Sequence, residues 1–377
     1  MAEDIETEVS LMPDSDPKAF LKAYLSTNSY LSPFSSASII QEYPHTTDSL
    51  DHYPSIGHGQ CAEIFHQTSI PSPIALKKAH PPPCKHAELR NDSLHHRAVV
   101  TAFLQHSRLC HVPAIHTLIG PDNDDWHQSY GRLIPVSKLD IARGSRERTP
   151  ILAMERIPPV PERVRDALVE QFCPSNLGQR AREDGANRDC LLRIYMGAKS
   201  YSAGSEFSLR NFPLSLDKME ELRLDVRQYA EAVAEGLAVL HWGARVNGRD
   251  VEFVLGLSRG DEVGAKREGG NGVKEEKGEK RRCVWVWVLD FNQCESIEMN
   301  ERGAEMAVWA FWDNDPYFPR PEMGEGKSGG LWEVFRRCYE EVSGRILEGE
   351  EEVVKALPGL FLERVRETGK RRGVGYY

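Results

Sequence analysis

Two stretches say most about the fold of this 377-residue chain: VWVWVLDFN at residues 284–292 and RDVEFVL at residues 249–255. Each is a run of β-branched and aromatic residues, which is typical of a strand. Asp250 begins the first run, and Asp290 follows the apolar part of the second. Strands that pair antiparallel bring the start of one beside the end of the other. The two runs therefore predict a β-hairpin that presents both carboxylates at its base.

The chain between these two strands predicts an extension of the hairpin. Residues 262–282 contain twelve charged residues and five glycines, and such a segment cannot bury apolar surface. The N-terminal arm, residues 1–50, is also polar, with eight acidic and two basic residues, and we expect most of it to be mobile. Within it, Asp16 and Pro17 predict the start of a short amphipathic helix. This helix docks either on the chain's own body or on a partner.

Upstream of the hairpin, the sequence predicts two regions of different secondary structure. Residues 51–157 indicate a small β-rich unit, because strand-like runs flank the glycine turn of IGHGQCAEIF at 56–65. Residues 158–350 indicate a larger helical unit, whose clearest helix, 217–241, repeats apolar residues at three- and four-residue steps. Residues 351–377 predict a C-terminal helix and tail. The predicted fold class is α+β.

The order of these features resembles the protein kinase-like superfamily, which includes the aminoglycoside phosphotransferases. The glycine turn precedes a strand with Lys77, a helix from about Glu88 to Leu104 and a strand ending in Glu155, and the hairpin comes last. The resemblance implies a two-lobed fold, with a small β-rich N-lobe and a larger helical C-lobe, that binds ATP and Mg²⁺. The residues that it implies for the nucleotide are Gly57, Gly59, Lys77, Glu88 and Glu155, and those for the metal are Asp250 and Asp290.

Each of these residue types suits its implied role. Glycines let backbone N–H groups approach phosphate oxygens closely. A lysine held by a glutamate supplies a fixed positive charge to the phosphates, and an aspartate at the end of a strand holds Mg²⁺. By the family's pattern, Glu88 is the helix partner of Lys77, and Glu155 lies where the hinge between the lobes begins.

The sequence departs from the kinase-like pattern where catalysis needs a base. The family's His-Arg-Asp loop supplies a carboxylate to the substrate hydroxyl, whereas this chain reads HWGARVNGRD at 241–250 and has Gly243 at that position. Asn292 replaces the last glycine of the Asp-Phe-Gly motif. We therefore expect a pseudokinase-like protein that binds nucleotide or a partner. An active atypical phosphotransferase and a non-enzymatic interaction module with a closed cleft are the alternatives.

The chain also resembles a fungal domain family of unknown function that is often catalogued as "zinc finger protein". The residues that carry this resemblance are DVEFVLG at 250–256, LDFNQC at 289–294 and NDPYFPRP at 314–321. Thiolates and imidazoles are the ligands that zinc prefers, but their spacing here matches no standard zinc site, and we expect no zinc. The candidates for such a site are Cys84, His86, His95, His96, Cys110 and His111.

Composition narrows the remaining classes of function. The chain has 47 Lys and Arg against 57 Asp and Glu, a net charge of −10, so we expect no nucleic-acid partner that depends on overall basicity. No apolar run approaches the roughly 18 residues of a membrane-spanning helix, and the acidic N-terminal sequence resembles no secretory signal. We expect an intracellular protein of the cytoplasm or nucleus, with reduced cysteines. A protein partner is compatible with this composition.

Overall fold

The computed structural model has a mixed α+β fold built on two five-stranded sheets. This agrees with the predicted fold class. Most of the N-terminal arm and nearly all of the 262–282 segment lie outside the described residues, so the predictions about them are not addressed. The structure describes residues 16–26, 30–31, 52–67, 74–136, 147–198, 207–257, 281–321 and 329–372.

The first sheet is formed by the region that precedes residue 157. All of its neighbouring strands are antiparallel, and Lys77 lies opposite Ile64 on one side and Leu152 on the other. Side chains alternate between the two faces of a strand, so Leu76 packs in an apolar cluster on one face while Lys77 points to the other. The strands, in their order across the sheet, are Ser55–His58, Ala62–Gln67, Ile74–Ala79, Ile151–Glu155 and Ile115–Ile119.

The second sheet contains the hairpin that the sequence predicts. Val254 lies opposite Trp287, and Glu252 lies opposite Leu289, in an antiparallel register. The predicted pairing of these two strands is confirmed. The strands, in their order across the sheet, are Cys110–His111, Val284–Leu289, Glu252–Leu257, Leu192–Tyr195 and Phe212–Ser215.

Helices cover the sheets and supply most of the larger apolar core. The helix predicted at 217–241 is instead two helices with a π-helical turn at the end of the second. The chain breaks at Arg223, whose φ of 54° is left-handed, and Asp225 then caps the next helix by accepting from the Arg227 N–H. The main helices and this turn are Pro83–His106, Glu162–Phe172, Leu216–Glu221, Val226–Ala238, Val239–Gly243, Glu301–Asp313, Gly329–Ile346 and Leu357–Arg372. Of the helices described, none is both long and apolar enough to cross a membrane.

The predicted N-terminal helix forms at Pro17–Leu25 and docks on the protein itself. Asp16 caps it by accepting from the Ala19 N–H at 3.0 Å, and its apolar face packs against the Glu162–Phe172 helix. The Tyr229 hydroxyl also donates to the Leu25 carbonyl. These contacts decide between the two alternatives in favour of the chain's own body.

Candidate ligand-binding site

A cavity of about 310 Å³ lies between the two sheets. The hairpin base, the strand that contains Lys77 and the glycine turn meet there. Four carboxylates and two cations are among its lining side chains, so the lining has an excess of negative charge. Its described lining residues are Gly59, Gln60, Cys61, Ala62, Ile64, Lys77, Arg193, Asp250, Glu252, Asp290, Asn292, Gln293, Asp315 and Tyr317.

Lys77 is held by two carboxylates at the inner side of this cavity. Its Nζ lies 2.6 Å from Asp92 Oδ2 and 2.7 Å from Asp290 Oδ1. Burial by itself lowers the pKa of Lys77, but Asp290 and Asp92 outweigh burial and raise the pKa above its usual range. The side chain of Asp92 is only 3% exposed, and its Oδ1 also accepts from the Phe291 N–H at 3.3 Å. Lys77 is therefore a fixed cation.

The helix partner of Lys77 is Asp92, not the predicted Glu88. Glu88 forms an ion pair with Lys85 at 2.7 Å, on the same helix. The helix begins at Pro83, earlier than predicted, and Asp92 lies about one turn beyond Glu88. The family pattern has a glutamate as the helix partner of the lysine, so it predicts Glu88 and not Asp92. The signal that could have found Asp92 is its place on the same helix face as the buried Leu89.

Asp250 and Asp290 both line the cavity, and both have left-handed backbone conformations, with φ of 59° and 66°. The Asp250 N–H donates to Asn314 Oδ1 at 2.6 Å, and Gln293 Nε2 donates to Asp250 Oδ2 at 2.7 Å. Part of the Asp250 surface is exposed, but surrounding protein desolvates its carboxyl. This desolvation, with the charges of Asp290 and Asp315, raises the pKa of Asp250 to about 6. Strained residues of this kind cluster at functional sites.

The oxygen atoms at this place suit a hard divalent cation. Mg²⁺ in proteins is commonly held by one or two carboxylates together with substrate phosphates, and Asp250 and Asp290 could supply those carboxylates. Asn292 lines the same cavity, and its buried Oδ1 has no hydrogen-bond partner in the described structure. An oxygen without a donor is compatible with a nearby cation. The residues present therefore fit Mg²⁺ only where phosphate oxygens or water complete its coordination, because Asp250 and Asp290 supply two carboxylates and no third acidic ligand joins them among the described residues.

Two of the six candidates for a zinc site are engaged elsewhere. His96 Nε2 lies 2.7 Å from the Pro113 carbonyl oxygen, and Cys110 Sγ donates to the Ala232 carbonyl at 3.0 Å. Cys84 is exposed, whereas Cys110 is buried. Within the described ranges, no group of three or more His, Cys, Asp or Glu side chains could hold a metal ion.

A second charged cluster, which the sequence analysis missed, lies on the second-sheet side of the cavity. Arg193 Nη2 donates to Glu252, and Arg193 Nη1 lies 3.3 Å from Asp315 Oδ2. The Tyr195 hydroxyl donates to the same Asp315 oxygen at 2.6 Å. Burial raises the pKa of Glu252, although Arg193 opposes this. The sequence feature that could have indicated this cluster is a charged residue in each of two otherwise apolar strands, Arg193 in one and Glu252 in the other.

The glycine turn contributes to the cavity only through its second glycine. Gly59 lines the cavity, and its N–H donates to the Ala62 carbonyl at 2.9 Å. Gly57 instead lies within the strand opposite Ile64, and its Cα hydrogen faces that side chain, since a Cβ there would lie 3.2 Å from Ile64 Cδ1. Gly57 is absent from the described lining of the cavity.

Glu155, the predicted hinge residue, is also outside the described lining. Its Oε2 accepts from the Ala114 N–H at 2.8 Å, and its own N–H donates to the Ala114 carbonyl at 2.7 Å. Glu155 is therefore bonded to the connection between the strands Cys110–His111 and Ile115–Ile119. Of the seven predicted site residues, the structure brings together Gly59, Lys77, Asp250 and Asp290 around the cavity, and does not bring Gly57, Glu88 or Glu155 to it.

Gly243, at the position where the family pattern has a base, faces the Pro83–His106 helix. A Cβ at Gly243 would lie 3.2 Å from the Ala102 Cβ. His241, which begins this motif, is fully buried, and its Nδ1 lies 2.8 Å from the Tyr339 hydroxyl. The motif HWG is therefore part of the helical core, and Asp250 is the loop carboxylate that reaches the cavity.

Comparison with known proteins identifies one part of the chain. Residues 286–351 match the sequence pattern of a domain family of unknown function described as "zinc finger protein". The match starts inside the second strand of the hairpin and ends after the Gly329–Ile346 helix. Over this part it confirms the resemblance to a family of unknown function. No curated protein matches the chain.

Proposed function

We propose that this protein has a degenerate kinase-like fold and binds a metal-bound nucleotide in the cavity between its two sheets. The single observation that carries the proposal is the Lys77 ion-pair cluster. It joins a strand lysine, a helix carboxylate and the aspartate after the hairpin, with distances of 2.6 and 2.7 Å. In protein kinases, a lysine on the third strand pairs with a helix carboxylate, and the aspartate of Asp-Phe-Gly holds Mg²⁺.

The arrangement of the first sheet supports the same fold. Three antiparallel strands lead into the Pro83–His106 helix, and two further strands complete the sheet. The hairpin then brings Asp250 and Asp290 to the cavity below Lys77. This is the order of motifs that the kinase-like resemblance requires, with Asp92 in the place of the usual glutamate.

The charge of the cavity makes metal a requirement for nucleotide binding. The lining carries four carboxylates against Lys77 and Arg193, so a free triphosphate would meet a net negative surface. A divalent cation between Asp250 and Asp290 would reverse the local charge and supply a bridge to phosphate oxygens. Lys77 would then contact the phosphates directly.

The test is the thermal unfolding of the full chain with ATP alone, Mg²⁺ alone and both together. A ligand at a hundredfold excess over its Kd stabilises the folded state by about 2.7 kcal/mol. We expect the combination to raise Tm far more than either component does. The variant Asp290→Asn should lose this response. Asp313→Asn, whose partner is the outward Arg249, should keep it.

Two outcomes would contradict the proposal. The first is a parent protein that shows no response to millimolar Mg²⁺ and ATP, which would favour an interaction module with a closed cleft. The second is an equal response in Asp290→Asn and Asp313→Asn, which would place the nucleotide elsewhere.

An active phosphotransferase is the second candidate, because Asp250 could replace the base that the motif lacks. Its carboxyl lines the cavity and its pKa is raised to about 6, and an effective general base titrates near the working pH. In this alternative Asp250 would be the base and not a metal ligand, and Asp290 would hold the cation. The parent would consume ATP, and Asp250→Asn would lower the rate by about 10²–10⁴-fold while ATP still binds. A parent that binds ATP and does not consume it supports the pseudokinase-like function.

A further inference from the structure

We infer that the cavity recognises the metal-bound polyphosphate part of its ligand and does not discriminate between nucleobases. This inference rests on the proposed function and specifies its ligand class as any nucleoside triphosphate or inorganic tripolyphosphate with a divalent cation. Three features of the structure carry it: the segment after the first sheet, the floor of the cavity and the source of its cations.

The first feature is the close packing of the segment that follows Glu155. A Cβ at Gly256 would lie 2.5 Å from Ile157 Cγ2, and the Leu257 N–H donates to the Pro158 carbonyl at 2.9 Å. This segment therefore lies directly on the second sheet, with no gap for a ring between them. Selection of one base over another needs hydrogen bonds to the edge of that base. Residues 155–158 are absent from the described lining, and the Glu155 N–H and the Pro158 carbonyl are already bonded within the protein.

The second feature is the charged floor of the cavity. Arg193 and Glu252 form an ion pair on neighbouring strands and both line the cavity. A slot for a flat base is lined mainly by apolar and aromatic side chains, and here Ile64 on the opposite sheet faces charged groups instead. Val254, which lies opposite Arg193 across the two strands, belongs to a buried cluster with Ile157 and Trp287.

The third feature is that both sheets contribute a cation. Lys77 comes from the first sheet and Arg193 from the second. The Tyr317 hydroxyl is buried, lines the cavity and has no hydrogen-bond partner within the described structure. Cations and hydroxyl donors bind phosphate oxygens whatever the rest of the ligand is. The cavity, of about 310 Å³, is at the small end of the roughly 300–1,000 Å³ seen for ligand pockets.

The experiment measures the affinity of the full chain for a panel of ligands by calorimetry, at fixed Mg²⁺ and pH. The panel contains ATP, GTP, CTP, UTP, inorganic tripolyphosphate and adenosine. We expect the Kd values of the four nucleotides and tripolyphosphate to agree within about fivefold, a difference of about 1 kcal/mol. Adenosine should not bind at millimolar concentration. The measurement with tripolyphosphate shows whether binding requires the nucleoside or only the polyphosphate.

A preference for ATP of more than about fivefold over UTP or tripolyphosphate would overturn the inference and leave the proposed function standing. Binding of adenosine alone would do the same. If the nucleotides bind alike but tripolyphosphate does not, the ribose contributes, and the inference fails for the inorganic ligand. If no ligand of the panel binds, both the inference and the proposed function fail.

Discussion

The cavity has two charged centres that differ in how they connect the molecule. The Lys77 centre consists of Lys77, Asp92 and Asp290, and it joins the first sheet, the long helix and the end of the hairpin. The Arg193 centre consists of Arg193, Glu252, Asp315 and Tyr195, all on the second-sheet side. The first centre therefore couples the two halves of the protein. The second shapes one wall within a single half.

The two centres also differ in exposure. At the Lys77 centre, the lysine and Asp92 side chains are 7% and 3% exposed and Asp290 is 28% exposed. At the Arg193 centre, Arg193 and Glu252 are 20% and 19% exposed and Asp315 is 42% exposed. A buried charge that loses its partner is costly, and an exposed charge is solvated by water. Similar ion pairs around one cavity should therefore lose very different amounts of stability when their cation is replaced.

The largest effect is expected for Lys77→Met. It leaves the buried Asp92 carboxylate without its cation, and breaking a buried pair in this way costs about 3–5 kcal/mol. Denaturant unfolding of the parent and the variant measures the loss. Lys78→Met is the matched control, because Lys78 follows on the same strand and points to the other face. Equal stability of the two variants would contradict the coupling role of the Lys77 centre.

A smaller loss is expected for Arg193→Met, about 2 kcal/mol at pH 8. Burial already raises the pKa of Glu252, so this carboxyl can take up a proton when its cation is removed. Proton uptake by Glu252 is more favourable at lower pH, so the stability lost in Arg193→Met should become smaller as the pH falls from 8 to 6. The exposed Arg188 supplies the control variant Arg188→Met. A loss that is larger at pH 6 than at pH 8 would contradict this account.

Restoring the motif by Gly243→Asp should destabilise the protein and should not create turnover. The new Cβ would meet Ala102 at 3.2 Å, and overpacking of this kind costs about 1–3 kcal/mol. Gly344→Asp is the control, because a Cβ there has nothing within 4 Å. Thermal unfolding and an ATP-consumption assay measure the two effects. A stable Gly243→Asp variant that consumes ATP would show that position 243 does reach the ligand.

The smallest effect, a gain of about 1 kcal/mol at pH 7 after allowance for solvent screening, is expected for Asp250→Asn. The folded-state pKa of Asp250 is raised from 3.8 to about 6, so the folded state is penalised as the carboxyl ionises between these values. The gain should therefore be absent at pH 4, grow up to about pH 6 and stay constant above it. Asparagine tolerates the left-handed backbone of this position.

Unfolding measured from pH 4 to pH 8 gives this profile. Asp290→Asn is the informative contrast, because Asp290 neutralises Lys77 at 2.7 Å and its loss should give no gain. A gain for Asp250→Asn that is largest at pH 4 would reverse the sign and rule out a raised pKa as its cause.

The sequence was sufficient to predict the Lys77 centre in outline because its parts are tied to strong local patterns. The runs around Asp250 and Asp290 can only be strands, and their register follows from antiparallel pairing. The partner Asp92 could not be chosen over Glu88, since both lie on one helix about a turn apart. Only the start of the helix at Pro83 and its packing decide which carboxylate faces Lys77.

The Arg193 centre could not be predicted, for a different physical reason. Arg193, Glu252 and Asp315 are far apart in the sequence, and although Glu252 and Asp315 lie in the segments 250–256 and 314–321, nothing in those segments indicates that the two residues meet. Their meeting depends on the antiparallel pairing of Glu252–Leu257 with Leu192–Tyr195 and on the path of the chain after the Glu301–Asp313 helix. The sequence likewise could not show that position 243 faces away from the cavity, because the π-helical turn directs it towards Ala102.

The close packing of Ile157 and Pro158 against Gly256 and Leu257 bears on how fast a ligand could enter and leave the cavity. The close approach of Ile157 to Gly256 and the Leu257 hydrogen bond hold the segment after the first sheet against the second sheet, so we expect little opening of the cavity at this side. The turn at Gly59 and Gln60 is exposed and lines the cavity, so it is the side by which the proposed ligand would enter and leave. For the proposed ligand, the residence time would then depend on how often this turn moves aside, and a stiffer turn would slow arrival and departure alike and leave their ratio unchanged.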